Sequence, residues 1–208
     1  MITVIDANSI GRHRRLEDSM FELRHSVFID RLGWPLNSRD GREIDQFDRH
    51  DTVYLVVENP RGQAVASCRL LPTIKPNLLK DIFPFLARDG RPPVHPLIWE
   101  ASRLVVDHRK DRLAGCGNVG GILLSGIMEY ACRIGLTHLV SVSDARTERL
   151  LKGAGWHLDR LGEPHLFEGC RIVGEITEIS IGALARIRTR YGISGSVLPV
   201  EEDHLKAA

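Results

Sequence analysis

The sequence predicts one α/β domain, residues 1–208, in which helices cover both faces of a central sheet. Short apolar runs typical of strands alternate with segments whose apolar residues recur at helical spacing. No internal repeat or linker divides the chain, and 208 residues suit one compact core. Hydrophobic residues make up 43%, which indicates a globular protein. Together these observations predict a three-layer α/β/α sandwich.

The first half of the chain alternates strand and helix patterns. "ITVI" is a short strand, and Leu16, Met20 and Leu23 recur at helical spacing within a helix from about Arg12 to Leu32. "GWPLNSRDGREIDQFDRHD" breaks that periodicity with Pro, Gly and Asp and is a loop. "TVYLVVE" and "QAVASCRLLPT" flank the turn "NPRG" and predict a β-hairpin. "NLLKDIFPFLA" predicts a short helix before a proline-rich loop.

The second half begins with a strand, "IWEASRLVVD", at residues 98–107. "GILLSGIMEYACRIG" is a helix with Gly135 as its C-cap, and the strand "LTHLVSVS" follows. Asp144 is placed to N-cap a short helix, "ARTERLLKGAG". The remaining predicted elements are strands near Trp156–Leu161 and Arg171–Ile179 and a helix near Ala183–Tyr191.

Charge and composition argue against several classes of partner. Lys and Arg total 28 against 27 for Asp and Glu, so no global charge draws the chain to nucleic acid or membrane. The N-terminus lacks the pattern of a signal peptide, and no apolar run has the length of a membrane span. The four cysteines form no CxxC motif, and the nine histidines form no ligand cluster. We therefore expect a cytoplasmic protein with reduced thiols and no metal site.

The glycine-rich stretch "GCGNVG", residues 115–120, has three interpretations. A dinucleotide fingerprint requires the glycines directly after a strand, whereas here "HRKDRLA" intervenes. A flexible loop with a tight helix entry is the structural alternative. The third is an anion site at a helix N-terminus, where backbone N–H groups face the ligand. The order of hairpin, strand, glycine loop, helix and strand resembles the GNAT acyltransferases, in which such a loop grips the pyrophosphate or pantetheine of an acyl thioester.

Charged residues are embedded in apolar segments of the first half. Strict strand alternation would place Glu100 and Arg103 on opposite faces of one strand. Taken singly, each charge is explained by a surface pair, a solvated loop or a strand edge. Together they indicate one buried network, because buried charges persist only when paired and hydrogen-bonded. The set comprises Arg24 between Phe21 and Phe28, Asp45 and Asp48 around Phe47, Arg69, Glu100 and Arg103.

The same residues carry a resemblance to a known family. Four stretches match in order and spacing: Arg24-x3-Phe28-x5-Trp34, "EIDQFD" from residue 43, "CRLLPT" from residue 68 and "WEASR" from residue 99. They resemble the acyl-homoserine-lactone synthases, the autoinducer synthases of bacterial quorum sensing. The resemblance implies a GNAT-like fold with a mixed, bulged central sheet. A β-bulge adds one residue to a strand, so it interrupts the alternation of side chains between the two faces of the sheet. We therefore predict a bulge between Glu100 and Arg103 that points both side chains into one cleft.

The resemblance also implies a reaction. S-adenosylmethionine supplies the homoserine part and an acyl thioester supplies the acyl chain, so both are substrates and no cofactor is required. The thioester is carried by acyl carrier protein or by coenzyme A, and the family norm favours the former while the extra glycines favour the latter. Two other functions stay open on the residues alone. One is a GNAT-type N-acyltransferase that uses a different amine, and the other is a non-catalytic binding module.

Roles for individual residues follow from the resemblance. Glu100 is the candidate general base, directly or through water. Asp45 and Asp48 position the amine, and Arg69 either ties Asp45 to Glu100 or is purely structural. Arg24 or Arg103 orients the substrate carboxylate.

Three further residues complete the implied substrate site. Phe28 and Trp34 face the sulfonium cation. Ser141 lies where the family often places a residue near the third carbon of the acyl chain, and its hydroxyl favours a 3-oxo chain unless it simply packs at the strand end.

A basic stripe on the helix "ARTERLLKGAG" is the candidate docking surface for a carrier protein. Arg146, Arg149 and Lys152 follow one another at intervals of three residues. Acyl carrier proteins are strongly acidic, so such a stripe would steer one toward the thioester cleft. The alternative is an ordinary solvated helix face, since Glu148 lies within it.

Overall fold

The computed structural model describes residues 2–107 and 118–199. The strands are β1 (Ile2–Ile5), β2 (Ser38–Arg39), β3 (Arg42–Glu43), β4 (Val53–Glu58), β5 (Ala64–Pro72), β6 (Ile98–Val106), β7 (His138–Asp144), β8 (Asp159–Arg160), β9 (His165–Phe167) and β10 (Cys170–Glu178). The helices are α1 (Arg14–Arg24), α2 (Leu78–Asp81), α3 (Val119–Arg133), α4 (Ala145–Gly153) and α5 (Ile181–Tyr191). A π-helical segment, His25–Arg31, continues α1.

One mixed sheet organises the molecule. Its strand order is β1-β4-β5-β6-β7-β10-β8, with β9 also paired to β10. The neighbours β6 and β7 run parallel, and the other pairs in this sheet are antiparallel. Strands β2 and β3 form a separate two-stranded ribbon beside α1. The parallel step at β6 and β7 requires a crossover, and α3 lies in that connection.

Helices cover both faces of the sheet. On one face α1 packs through Met20 and Leu23 against Tyr54 and Val56 of β4. On the other face α3, α4 and α5 bury their apolar sides in a larger core, which includes Leu123, Ile127, Leu151 and Ile187. Leu79 of α2 forms a small third cluster with Leu86 and Val140. The predicted three-layer α/β/α sandwich is confirmed.

Strand β6 carries the predicted bulge. Ser67 pairs with Val105 and Arg69 pairs with Ser102, so the single residue between Ser67 and Arg69 opposes two residues of β6. Those two are Arg103 and Leu104, and Arg103 has a positive φ of 52°. The irregularity therefore begins at Arg103, the last residue of the predicted interval.

The bulge changes which face each β6 side chain occupies. Before it, Trp99 and Ala101 pack toward the α3 layer; after it, Leu104 and Val106 do so. Val105 packs in the α1 layer. Arg103 is thereby free to reach the face that also holds Glu100, because the extra residue interrupts the alternation.

Several predicted elements differ in extent. The helix expected from Arg12 to Leu32 is α-helical only over Arg14–Arg24 and π-helical over His25–Arg31. The predicted loop after it contains the ribbon β2–β3, and the strand expected at Trp156–Leu161 is reduced to Asp159–Arg160. Strand β9, His165–Phe167, was not predicted, because its side chains are exposed and lack a buried face to produce alternation.

The cap predictions hold. Gly135 follows the last turn of α3 with a φ of 73°, and the Asp144 side chain accepts hydrogen bonds from the N–H groups of Arg146 and Thr147. The glycines at positions 115 and 117 lie outside the described residues, so the anion-loop interpretation is untested. Within residues 2–107 and 118–199 no cluster of metal-ligating side chains occurs, and no helix is long and apolar enough to span a membrane.

Candidate active site

Arg24 is fully buried at the point where α1 becomes π-helical. Its Nε donates to Glu43 Oε2 at 2.6 Å, and its two terminal nitrogens donate to Asp48 Oδ1 and Oδ2 at 2.8 and 2.9 Å. The predicted common face with Phe21 is present, since the guanidinium lies 5.1 Å from the centre of that ring. π-Helical turns often occur at functional sites, and this one follows the residue that anchors the network.

Two further guanidinium groups, those of Arg69 and Arg103, bind to Glu43 and Asp48 and to a third carboxylate, Asp45. Arg69 donates to Asp45 Oδ1 at 2.6 Å and to Asp48 Oδ1 at 3.1 Å, while its Nε donates to Ser102 Oγ at 3.1 Å. Arg103 donates to Glu43 Oε1 at 3.0 Å and to Asp45 Oδ2 at 2.7 Å. The network therefore links residues from α1, β3, β5 and the β6 bulge.

The pairing offsets the cost of burying these charges. Burial alone would raise the pKa of Asp48, but hydrogen bonds from Arg24 and the charges of Arg24 and Arg69 outweigh it and hold that pKa well below its usual range. Tyr54 also donates to Asp48 Oδ1 at 2.8 Å. Three guanidinium groups face three carboxylates, Glu43, Asp45 and Asp48, so these six side chains balance in charge.

A cavity of about 480 Å³ opens beside the network and passes through the sheet. Strands β6 and β7 pair only from Ile98–His138 to Glu100–Val140, although both strands continue beyond that point. Side chains from both sides of the resulting gap line the cavity, among them Ser102, Arg103 and Ser141. The parting of the two strands therefore connects the α1 layer with the α3 layer.

The two ends of the cavity differ in chemistry. The end toward α1 is lined by aromatic and charged groups, including Phe28, Trp34, Glu43, Asp45 and Arg103. The end toward α3 is lined mainly by apolar side chains, including Leu124, Ile127, Leu139, Leu151 and Trp156. One end can hold a charged molecule and the other a hydrocarbon chain, with the sheet gap between them as the place where the two can meet.

Comparison with known proteins agrees with this geometry. The autoinducer synthase family profile matches residues 8–178. A probable acyl-homoserine-lactone synthase of Sinorhizobium fredii is 35% identical over 164 residues, which is 75% of this chain and 79% of the relative. The chain belongs to the autoinducer synthase family.

Solved structures give the same result. The coenzyme A-dependent acyl-homoserine lactone synthase BjaI, solved with S-adenosylmethionine and isopentyl-coenzyme A, superposes with a TM-score of 0.85 at 30% identity, covering 94% of this chain and 90% of that one. An acyl-coenzyme A N-acyltransferase of Pseudomonas aeruginosa shares the fold alone, with a TM-score of 0.56 at 19% identity over 85% of this chain and 97% of that one. The protein is thus an acyltransferase with a GNAT-like fold, an acyl-homoserine-lactone synthase.

The predicted site residues divide into two groups within this autoinducer synthase. The cavity wall includes Phe28, Trp34, Asp45, Arg103 and Ser141. Arg24, Asp48, Arg69 and Glu100 lie behind that wall and are almost fully buried. The second group is therefore separated from the cavity by the side chains that line it.

Two backbone N–H groups at the start of α2 hold the Glu100 carboxylate. Its Oε1 accepts from the N–H of Leu78 at 3.1 Å and its Oε2 from the N–H of Leu79 at 2.6 Å, at the start of α2. Burial raises the pKa of Glu100, and these two hydrogen bonds oppose that rise. Ser102, which lines the cavity, also lowers the pKa of Glu100, so its hydroxyl lies between the buried carboxylate and the cavity. Arg69 is hydrogen-bonded to Ser102, and its positive charge also lowers the pKa of Glu100.

The two predicted aromatic residues form a stack. Phe28 and Trp34 lie parallel, with ring centres 5.0 Å apart and an interplanar angle of 5°. The other side of Phe28 is occupied by Arg103, whose guanidinium carbon lies 5.9 Å from the ring centre. Trp34 remains 41% exposed, so its open face is the one available to a ligand cation.

The predicted docking stripe lies on α4. Arg146 and Arg149 are exposed and form no ion pair with any described residue. The Nζ of Lys152 instead donates to Glu148 at 2.7 Å, which neutralises part of the stripe. The opposite face of α4 contributes Thr147 and Leu151 to the cavity wall. The stripe is therefore close to the apolar end of the cavity, but only its arginines are unpaired among the described residues.

Three site residues were missed as candidates. Glu43 was quoted within a matching stretch, yet it binds two of the three network arginines. Its location in a short ribbon strand gave no periodic signal of burial. Ser102 and Tyr54 were read as ordinary strand residues, because a single hydroxyl in a strand carries no sign of its partner.

The network predicts a large effect of removing one carboxylate. Asp48→Asn should lower the free energy of unfolding by about 3–5 kcal/mol, because it leaves Arg24 and Arg69 buried with too few acceptors. Urea denaturation measures the loss. Asp18→Asn is the matched control, since Asp18 pairs with Arg42 at the surface and its loss should cost at most about 1 kcal/mol. Equal effects of the two substitutions would contradict the structural role of the network.

Proposed function

We propose that this synthase acylates the amine of S-adenosylmethionine from an acyl thioester and then closes the product to an acyl-homoserine lactone. The cavity through the sheet, charged at one end and apolar at the other, is the observation that carries the proposal. The relative BjaI, whose structure contains S-adenosylmethionine and isopentyl-coenzyme A, supports the same pair of substrates. In this arrangement the aminoacyl group binds at the α1 end and the acyl chain at the α3 end.

Binding of S-adenosylmethionine uses the charged wall. Asp45 is the residue that we assign to the substrate ammonium, together with Glu43, because both carboxylates line the cavity. Arg103 lies beside them and orients the substrate carboxylate. The sulfonium cation stacks on the open face of Trp34, since Arg103 already occupies the free face of Phe28. Arg24, Asp48 and Arg69 hold these groups in place.

The ammonium must lose a proton before it can attack. We assign the base to Glu100 and the path to Ser102, which influences the pKa of Glu100 and lines the cavity. The substrate proton passes to Ser102 Oγ as the Ser102 proton passes to Glu100. The raised pKa of Glu100 suits this role, because a base whose pKa lies nearer the working pH accepts a proton more readily.

Acyl transfer follows at the gap in the sheet. The amine nitrogen forms a bond to the thioester carbon, and the oxyanion that develops needs hydrogen-bond donors. The backbone N–H groups of Arg103 and Leu104 are suited to that task, because a bulge removes its residues from regular ladder pairing. The intermediate then collapses with cleavage of the C–S bond. The leaving thiolate takes up the second proton of the attacking nitrogen, and Glu100 releases the proton it had accepted to solvent.

Lactone closure needs no further reactant. The substrate carboxylate attacks the carbon bonded to the sulfonium, the C–S bond breaks and methylthioadenosine leaves as a neutral thioether. Both reacting groups belong to one molecule, so a wall that holds them in reactive geometry supplies much of the rate. The sulfonium is its own leaving group, and the reaction therefore requires no cofactor. We place the enzyme in the cytoplasm, which agrees with the free thiols of Cys68, Cys132 and Cys170.

The acyl donor is either acyl carrier protein or coenzyme A. The exposed Arg146 and Arg149 beside the apolar end of the cavity favour an acidic carrier protein. The 30% identity to the coenzyme A-dependent BjaI favours coenzyme A. Both donors present the same thioester, and the docking surface decides between them.

Incubation with S-adenosylmethionine and a panel of acyl thioesters tests the proposed function. We expect methylthioadenosine and an acyl-homoserine lactone to form in equal amounts, measured by mass spectrometry. Acylated amine without methylthioadenosine would indicate an N-acyltransferase of another kind. Binding of both substrates without any product would indicate a non-catalytic module and overturn the proposal.

The base assignment predicts a pH effect. Glu100→Gln should lower kcat about a hundredfold or more with little change in the KM for S-adenosylmethionine. In the wild type kcat should rise with pH through the pKa of Glu100, above the ordinary carboxyl value of 4.5, because only the ionised form accepts the proton. This rise of kcat on the acidic side of the pH profile should be absent from Glu100→Gln. Ser102→Ala should lower kcat but retain the rise. If Glu100→Gln retained it unchanged, the base would be another group.

The donor is tested by charge reversal on α4. Arg146→Glu with Arg149→Glu should raise the KM for acyl carrier protein about tenfold or more, because it reverses the steering field. The KM for acyl-coenzyme A should change by less than about twofold. The matched control is Arg14→Glu with Arg15→Glu, an equal charge change at exposed positions in the α1 layer. Equal effects on both donors, or on neither, would exclude this helix as a docking surface.

A further inference from the structure

The hairpin formed by β9 and β10 projects beyond the central ladder of the sheet. Pairing between β10 and β7 begins only at Ile172. The two β10 residues before it, Cys170 and Arg171, pair with β9. All three side chains of β9 are exposed. The tip of the hairpin is therefore held by its own ladder and by the side chains that it contacts, and β7 does not support it.

The base of the hairpin, in contrast, is fixed to the chain that follows α2. The N–H of Arg88 donates to the carbonyl oxygen of Leu161 at 2.9 Å, just before β9 begins. Gly162 packs so closely at this point that a Cβ atom would lie 2.8 Å from the carbonyl oxygen of Leu86. A fixed base and a projecting tip are the layout of a flap.

The hairpin tip forms part of the cavity wall. Phe167, Glu168 and Cys170 line the cavity from the hairpin side. Ile82 and Phe83, in the segment after α2, line it from the opposite side. Phe167 and Ile82 are also exposed to solvent, so the cavity reaches the surface between them. The hairpin tip is therefore one edge of an opening of the cavity.

Aromatic contacts hold the tip against the other edge of this opening. Phe167 meets Phe83 edge to face, with ring centres 5.1 Å apart and an interplanar angle of 89°. The ring of His165 lies 4.9 Å from that of Phe85. Three of these four side chains are exposed, and each such contact is weak by itself. The closed position of the hairpin is therefore easily broken.

The opening lies on the same face of the sheet as the charged end of the cavity. Val142 and Ile172 line the cavity and pack in the cluster that contains Leu79 of α2. The N–H of Leu79 in turn binds Glu100, which occupies the α1 side of the sheet. The acyl chain is assigned to the α3 side, so the ligand nearest this opening is the one at the charged end.

We propose that the β9–β10 hairpin is a flap over the charged end of the cavity, which opens to exchange methylthioadenosine for S-adenosylmethionine. The inference rests on the proposed function, which assigns this end of the cavity to S-adenosylmethionine. The closed flap shields the bound sulfonium from water, and the product leaves when the hairpin parts from Phe83 and Phe85.

Two variants weaken the closed flap without altering the cavity wall. His165→Ala and Phe85→Ala each remove an aromatic contact, and neither residue is among the described residues that line the cavity. We expect each variant to raise the association and dissociation rate constants of methylthioadenosine about threefold or more, with the Kd changed by less than about twofold. The two rate constants rise together because a weaker closed state opens more often with or without ligand. Stopped-flow fluorescence of Trp34 and Trp156, which line the cavity, measures both.

Leu166→Ala is the matched control. Leu166 lies in the same strand as His165, but strand alternation directs it to the other side of the hairpin, and it is 78% exposed. Its rate constants should stay within about twofold of those of the wild type. Unchanged rate constants in His165→Ala, a change in Kd without the paired rise, or an equal effect of Leu166→Ala would overturn the inference.

Two features keep the result interpretable. His165 is exposed, so His165→Ala decides the inference even if Phe85→Ala does not fold. Failure of the proposed function appears in the wild type, as binding of S-adenosylmethionine without lactone formation. Failure of the flap appears in the variants, as rate constants equal to those of the wild type. A wild type that binds neither S-adenosylmethionine nor methylthioadenosine would overturn both.

Discussion

The bulge that begins at Arg103 is the constraint on which the site depends. It costs a residue with positive φ and interrupts the β5–β6 ladder, yet it turns a guanidinium to the face that holds Glu43 and Asp45. In a regular strand Arg103 would point into the α3 layer, where apolar side chains surround it. The ion pairs on the α1 side are therefore what stabilise the irregular backbone.

Stability and the proposed substrate binding depend on the same charges. The three network arginines and their three carboxylates balance, and Glu100 adds one further buried carboxyl group on the same face. In the proposed reaction S-adenosylmethionine brings an ammonium, a carboxylate and a sulfonium, a net charge of one positive. The ligand would thus complement the site as a whole, which explains how a folded protein can hold so many buried charges and still accept a charged substrate.

The charged end and the apolar end of the cavity meet at one gap in the sheet. Charged and aromatic side chains from the π-helical segment, β3, β6 and the loops beside them form one end, while α3, α4 and β10 contribute to the other. The parallel strands β6 and β7 separate after Glu100 and Val140, so both ends reach the same point. In the proposed reaction, variation at the apolar end could change the acyl chain without disturbing the charge network at the other end.

Local pattern was enough to predict much of the fold. Apolar periodicity located α1, α3 and the longer strands of the central sheet, and Asp144 and Gly135 marked helix ends because capping is a local interaction. Strand β9 and the ribbon β2–β3 escaped prediction, since exposed strands of two or three residues have no buried face to generate a pattern. The charges of Arg24, Asp45, Asp48, Arg69, Glu100 and Arg103 were recognisable as a set, because ionised groups rarely occur in apolar segments without a partner.

The sequence by itself determined the family, the layered fold and the charges that form the site. Only the tertiary structure decided which of those charges line the cavity. Asp45 and Arg103 line the cavity, as does Ser102, while Arg24, Asp48 and Glu100 lie behind it. The contact between Phe83 and Phe167 was equally invisible in the sequence. The reason is physical: facing and pairing depend on strand register and on contacts between residues far apart in the chain, which no local pattern of residue types encodes.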